Sequence, residues 1–270
     1  MMLKKIVDLY IESSLHVALA VAALCGVTGV YFDFDPPLYV YAALYFGSVV
    51  GYNFIKYAPL AGDFISVKGK YYKGMQIFSV LNFIIALYFL KDFSLRAIAL
   101  AALVGLLVFF YVYPVQRLKG NIRNMRGIKV YVVALVWALC TVVLPVVLVE
   151  LPVDAAVALE VVRRMLFVLA ITIPFEIRDL GLDQPGLYTI PQQFGVRGAK
   201  LLGYCFLLLF WLLGVVFEMD YLEDKWYTEG VLVLLSLVLL YASSRKRHRY
   251  YTGLLVESLP LIWLGLLWLL

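Results

Sequence analysis

Long apolar runs separated by short charged segments make up almost the whole chain. The runs are continuous, as in Leu207–Phe217 and Val231–Leu240, and lack the alternation of a half-buried strand. A crossing of the bilayer's hydrocarbon needs roughly 17–25 predominantly apolar residues as a helix. By that rule the pattern predicts nine helices, over 13–32, 37–57, 74–91, 94–114, 128–149, 156–175, 199–217, 229–243 and 253–270. A transmembrane barrel would read as shorter alternating segments. The expected fold class is therefore all-α: a polytopic membrane protein of nine transmembrane helices in one membrane domain, 1–270.

Composition agrees, since 64% of the 270 residues are hydrophobic and only 15% are charged. A soluble domain of this length must cover its surface with solvated groups, and this chain has too few. Charge then sets orientation. With nine crossings, 18 of the 23 Lys and Arg residues fall on the side of the N-terminus, leaving Lys91, Arg96, Arg163, Arg164 and Lys225 opposite. Positive-inside topology puts the N-terminus and the loops 58–73, 115–128, 176–198 and 244–252 in the cytoplasm, and the C-terminus across the membrane. The net charge of +5 is thus a topology signal and not one for nucleic acid. Lys4 and Lys5 precede Asp8, Glu12 and an apolar run with no small-residue cleavage site, so the first span is expected to act as its own insertion signal. Arg163 and Arg164 read as an outer-surface anchor paired with Glu160. Cys25, Cys140 and Cys205 lie in apolar runs without metal-ligand spacing and read as small hydrophobes.

Candidate chemistry concentrates on the basic side. After the sixth span comes Pro174-Phe175-Glu176-Ile177-Arg178-Asp179-Leu180-Gly181-Leu182-Asp183. Glu176, Asp179 and Asp183, three and four residues apart, share one helical face. Three carboxylates there suit Mg²⁺, which takes a few acidic oxygens and completes its shell with water or phosphate. Arg178 adds a planar fork for a phosphate. The same spacing equally describes a solvated helix end. A second cluster, Tyr111-Val112-Tyr113-Pro114-Val115-Gln116-Arg117-Leu118-Lys119 followed by Arg123, Arg126 and Lys129, lies on the same side. Arg117 and Lys119 are its candidates for anion binding, beside the alternative of lipid-headgroup contact. Within the spans, His16 and Asn82 are expected to find packed partners. Glu257 is an acid in an apolar run, which is costly without one.

The order Tyr113-Pro114…Lys119 after span four and Arg178-Asp179-x-x-x-Asp183…Thr189-Ile190-Pro191…Gly195 after span six resembles the UbiA superfamily of intramembrane prenyltransferases. The resemblance implies a UbiA-like helical bundle in which Asp-rich motifs after helices two and six hold Mg²⁺ and the diphosphate of an isoprenyl donor. The isoprenyl group passes to an aromatic or other lipid-soluble acceptor. It makes Asp179, Asp183 and Glu176 the metal residues, and Arg178, Lys119, Arg117, Lys56 and Asn53 the diphosphate residues. The first motif departs from the family pattern Asn-Asp-x-x-Asp-x-x-x-Asp. Asn53 keeps its place, but Phe54, Tyr57 and Ala61 stand where acids are expected, and Lys56 enters the motif. Lys56 could neutralise diphosphate charge in place of a metal. The other reading is a non-catalytic homologue that binds a polyprenyl or quinone-type lipid, or serves as a membrane partner subunit.

Overall fold

The computed structural model describes residues 2–60, 67–113, 122–125, 127–182, 187–216 and 225–269. These residues are helical throughout, apart from turns, and contain no strand. The helices are α1 (Met2–Glu12), α2 (Leu15–Tyr31), α3 (Leu38–Tyr57), α4 (Lys70–Phe89), α5 (Leu95–Val112), α6 (Lys129–Ala138), α7 (Leu144–Leu148), α8 (Ala155–Asp179), α9 (Ile190–Val216), α10 (Trp226–Ala242) and α11 (Leu259–Leu269). A π-helical turn, Leu139–Val143, joins α6 to α7, and another, Tyr251–Val256, precedes α11. Every predicted apolar run carries helix. Six segments are long and apolar enough to cross a bilayer: Leu38–Leu60, Lys70–Asp92, Leu95–Val112, Lys129–Leu148, Ile190–Val216 and Tyr251–Leu269. Counted as one span, the pair formed by α1 and α2, bent by 58°, makes a seventh. Two of the predicted spans do not meet that standard, because α10 has only 17 residues and α8 carries Glu160, Arg163 and Arg164 along its length. The chain is a multi-pass membrane protein.

Local chemistry explains the breaks. Ser94 and Asp154 cap α5 and α8, their side chains accepting from the N–H groups of Ala97 and Val157 at 3.3 and 3.0 Å. Pro145 has no N–H to offer the Thr141 carbonyl four residues back, and the Thr28 hydroxyl donates to that oxygen at 2.6 Å instead. The π-turn at Leu139–Val143 thereby becomes a docking point for α2. Gly29 is dictated by close approach: a Cβ there would lie 2.6 Å from both the Phe34 carbonyl oxygen and Pro36.

The bundle packs around α8, whose Phe167, Ile173 and Ile177 are fully buried. Helices α4 and α5 instead turn Ile77, Phe83, Ile84, Leu103 and Leu106 outward. Such exposure is what hydrocarbon tails accept and water does not. Loops predicted to share one side do meet at one end. Arg249 pairs with Asp8 and Glu12 at 2.5 and 2.7 Å, Arg123 donates to the Ile55 carbonyl at 3.2 Å, and the Gly127 N–H donates to the Leu187 carbonyl at 3.0 Å.

Two features differ from the sequence-based expectation. Residues 2–12 form a helix of their own, turned sharply from α2 at Ser13-Ser14, where Ser14 takes a φ of 64°. Arg163 and Arg164 are not a surface anchor; both are fully buried. Arg163 pairs with Glu160 at 2.7 Å and Glu229 at 2.5 Å, and Arg164 pairs with Glu160 at 2.9 Å. The Tyr31 hydroxyl donates to Glu229 and accepts from Trp263 Nε1 at 3.2 Å. Arg164 also reaches the Leu24 carbonyl and Thr141 at 2.9 and 3.1 Å, and Arg163 the Phe210 carbonyl at 3.3 Å. The pairing with Glu160 stands as expected. The burial was not foreseen, because sequence alone did not show Glu229 arriving from α10.

Candidate active site

A cavity of about 680 Å³ lies among α3, α4, α5 and α6. Its walls are mostly apolar, with Phe83, Leu87, Val104, Val108, Val133 and Val136 among them. Polar groups are few: Ser48, Tyr52, Asn53, Gln76 and Ser79 are the main ones. Tyr52 and Trp137 meet edge to face across it, and the indole N–H donates to the Tyr52 hydroxyl at 2.5 Å. An apolar space with a few placed polar groups between helices is the usual form of a ligand site in a bundle.

Asn53 connects this cavity to the basic end. It is buried, donating to Ser79 Oγ at 3.0 Å and accepting from Ser14 Oγ at 2.8 Å. The Ser14 oxygen accepts in turn from Lys56 Nζ at 2.9 Å, and Lys56 also donates to the Ile11 carbonyl at 3.0 Å. Tyr57, at the second lost acidic position, donates to the Glu12 carbonyl at 2.8 Å. A helix end leaves carbonyls without intrahelical partners, and here α3 supplies them to α1. Asn53 and Lys56 thus come together, with Ser14 between them.

On α8, Arg178 lies against its neighbour Asp179, Nε and Nη2 donating to the two carboxylate oxygens at 2.6 and 2.9 Å. Arg178 Nη1 donates to the Thr252 hydroxyl on the second π-turn. Glu176 is buried, and one of its oxygens accepts the Ile190 N–H at 3.1 Å, capping α9. Asp179 is half-buried. Glu176 and Asp179 therefore serve different neighbours. Asp183, Arg117 and Lys119 lie outside the described residues. Among the described residues no group of three His, Cys, Asp or Glu side chains could hold a metal ion. Asp179 is held in the Arg178 fork and Glu176 caps α9, while the third carboxylate of the expected metal set, Asp183, is not among the described residues.

The expected partners of His16 and Asn82 are present. His16 shares hydrogen bonds with Tyr10 at 2.9 Å and with the Leu254 carbonyl and Ser258 at 3.1 Å. Asn82 donates to the Phe78 carbonyl at 2.7 Å. Ser14, Thr252, Tyr52 and Trp137 were missed in the sequence. Only the polar pair Ser13-Ser14 at the head of an apolar run offered a signal.

No protein-family model matches the sequence, and no curated protein does. Two solved structures share its backbone course. The apo structure of a UbiA homolog from Aeropyrum pernix K1 superposes with a TM-score of 0.69 over 94% of this chain and 98% of that one, at 14% identity. A digeranylgeranylglyceryl phosphate synthase gives a TM-score of 0.56 over 95% of each chain, also at 14% identity. Likeness at that identity is one of architecture, and the chain has the UbiA-type fold.

Proposed function

We propose that this protein is an intramembrane prenyltransferase that moves an isoprenyl group from an isoprenyl diphosphate to a lipid-soluble acceptor. The carrying observation is the apolar cavity joined through Asn53 and Ser14 to Lys56. In this reading an isoprenyl tail is solvated by the cavity walls, and its diphosphate meets the cationic groups at the basic end. Breaking the C–O bond develops charge on the leaving diphosphate, and fixed cations placed for it lower the barrier. Lys56 and Arg178 take that role, with Asn53 as a hydrogen-bond donor. The apolar walls exclude water from the allylic cation left behind. The faces of Tyr52 and Trp137 offer it the negative side of their quadrupoles.

The basic end is the cytoplasmic one, by the distribution of Lys and Arg. Nine crossings then put the N-terminus in the cytoplasm and the C-terminus on the other side. Membrane lipids surround the outward faces of α4 and α5.

A second reading has its own support: Asn53, Lys56 and Glu176 all hold helices in place, as they would in a non-catalytic lipid-binding homologue. The deciding experiment supplies labelled isoprenyl diphosphates of several lengths and a broad acceptor panel to the protein in nanodiscs. Prenyl transfer that Lys56→Ala strongly reduces supports the enzyme. Lipid binding without transfer from any donor supports the homologue.

A further inference from the structure

Glu257 stands outside every motif that resembles the family's, yet the fold carries it to the same end of the bundle. It follows directly on the π-turn Tyr251–Val256, and its N–H donates to the Thr252 carbonyl at 3.1 Å. The hydroxyl of that same Thr252 accepts from Arg178. One short segment therefore holds both Arg178 and the backbone of Glu257, and π-turns of this kind recur at functional sites.

The electrostatic neighbours of the Glu257 carboxylate are Lys56 from α3 and Arg178 from α8. These two cations also act on each other as like charges. Glu257 further acts on Tyr52, which lines the cavity, and on Tyr10 of α1. Among the described residues no hydrogen bond or ion pair engages the carboxylate itself. The contrast with Glu160 and Glu229, both tied directly to arginines, is plain. An acid between Val256 and Pro260 in an apolar helix needs balancing charge, and the two cations provide it at a distance.

We infer that Glu257 is the resident counter-ion of the diphosphate site: it balances Lys56 and Arg178 when no anion is bound, and competes with the anion for them. The inference rests on the prenyltransferase reading, which puts a diphosphate beside those cations. Lys56 and Arg178 face two acids, Asp179 and Glu257, and Glu12 also acts on Lys56. A site left with surplus positive charge would hold inorganic pyrophosphate after the reaction, and slow release of product limits turnover. Glu257 weakens that hold. A direct role as a metal ligand is a poorer fit, because Lys56 and Arg178 would repel the ion.

The test measures binding of inorganic pyrophosphate, in the presence of chelator, to the full chain in nanodiscs. Glu257→Gln should tighten binding roughly tenfold, and Glu257→Asp, which keeps the charge, should stay near wild type. Lys56→Met should weaken binding, and in that background Glu257→Gln should gain much less. Weaker binding by Glu257→Gln overturns the proposal and makes Glu257 a ligand; unchanged binding overturns it too. If wild type binds, Lys56→Met weakens it and Glu257→Gln has no effect, only the counter-ion role falls. If neither wild type nor any variant binds pyrophosphate, the diphosphate site falls and the counter-ion with it. Should Glu257→Gln fail to fold, its refolding when combined with Lys56→Met supports charge balance, and failure of both overturns it.

Discussion

Two charged clusters, each with two cations and two acids, occupy opposite halves of the bundle and are treated differently by the fold. Glu160, Arg163, Arg164 and Glu229 are fully buried, and short bonds connect them. Their charges cancel, and nearly every remaining donor finds a carbonyl or hydroxyl. Arg164 Nε is left over. The aromatic faces of Phe210 and Trp263 cover the guanidinium groups, with centroids 4.9 and 5.1 Å away. Among the described residues at the basic end, Lys56 reaches only oxygens of α1 and the α1–α2 turn, Arg178 holds an adjacent and half-exposed carboxylate, and the Glu257 carboxylate has no bonded partner. A closed, neutral network fixes helices and leaves nothing for a ligand. An open one with charges balanced at a distance is where an anion can enter. Charge in a membrane span is expected to mark function, and here the more deeply buried cluster is the structural one.

The comparison breaks most readily at the buried cluster. Removing one partner leaves an uncompensated charge in low dielectric, a loss of about 3–5 kcal/mol. Glu229→Ala should leave two buried arginines with one acid, Glu160, and take the carboxylate acceptor from the Tyr31 hydroxyl, lowering the melting temperature or abolishing folding in detergent-solubilised protein. A melting curve matching wild type would show that the network does not hold the bundle together. At the basic end, Lys56→Ala should do the reverse, with turnover falling on the order of 10²-fold, the scale of one lost transition-state donor. Stability should change little. A large loss of stability with proportionate loss of activity would make Lys56 a structural residue like Arg163.

A smaller effect sharpens the point about the altered motif. Acids restored at Phe54 and Tyr57 should not raise the rate while Lys56 is present, because a nearby ammonium repels an incoming metal. The rate should rise with Mg²⁺ only when Lys56 is also removed. Steady-state rates at several Mg²⁺ concentrations decide this, and a gain from the acids alone would show that Lys56 does not stand in for a metal.

Helix positions were legible in the sequence because a bilayer demands long apolar runs and those runs were uninterrupted. The helix at residues 2–12 was not, because 11 residues carrying Lys4, Lys5, Asp8 and Glu12 are too few and too charged to register as a crossing. The start of α9 at Ile190 was also hidden. A run read from Ala199 onward ignores Gly195, whose φ of 68° lets two helical stretches join across a kink. At the site, Asn53 was visible as the survivor of an altered motif, Lys56 as the cation that entered it, and Arg178 and Asp179 as part of a better-preserved one. Their partners were not, since Ser14 lies 39 positions from Asn53 and Thr252 lies 74 from Arg178, and only packing brings them near. Arg163 and Arg164 were misread for the same reason: the second acid of Arg163, Glu229, is 66 residues distant, and the Leu24 carbonyl and Thr141 hydroxyl that take up Arg164 are 140 and 23 residues away.

The smallest expected effect concerns which end is which. Both clusters are assigned a side by the distribution of Lys and Arg alone. The described loops do gather at common ends, as the bonds of Arg249, Arg123 and Gly127 show. Lys70 opens α4 at the basic end, and Val153 precedes α8 at the other; both side chains are exposed. Cysteine at either position, in a background lacking Cys25, Cys140 and Cys205, should shift stability by less than about 0.5 kcal/mol, as surface changes usually do. Labelling intact cells with a membrane-impermeant maleimide should modify the Val153→Cys protein and spare Lys70→Cys until the membrane is opened. The opposite pattern would invert the protein and put the proposed diphosphate site on the outer face, away from a cytoplasmic supply of donor. Equal labelling of both would mean that the two positions share a side, and the odd number of crossings between them would be wrong. Protection of Lys70 with modification of Val153 places Lys56, Arg178 and Glu257 within reach of cytoplasmic diphosphates, and the Arg163 network in the half of the membrane where no charged ligand is needed.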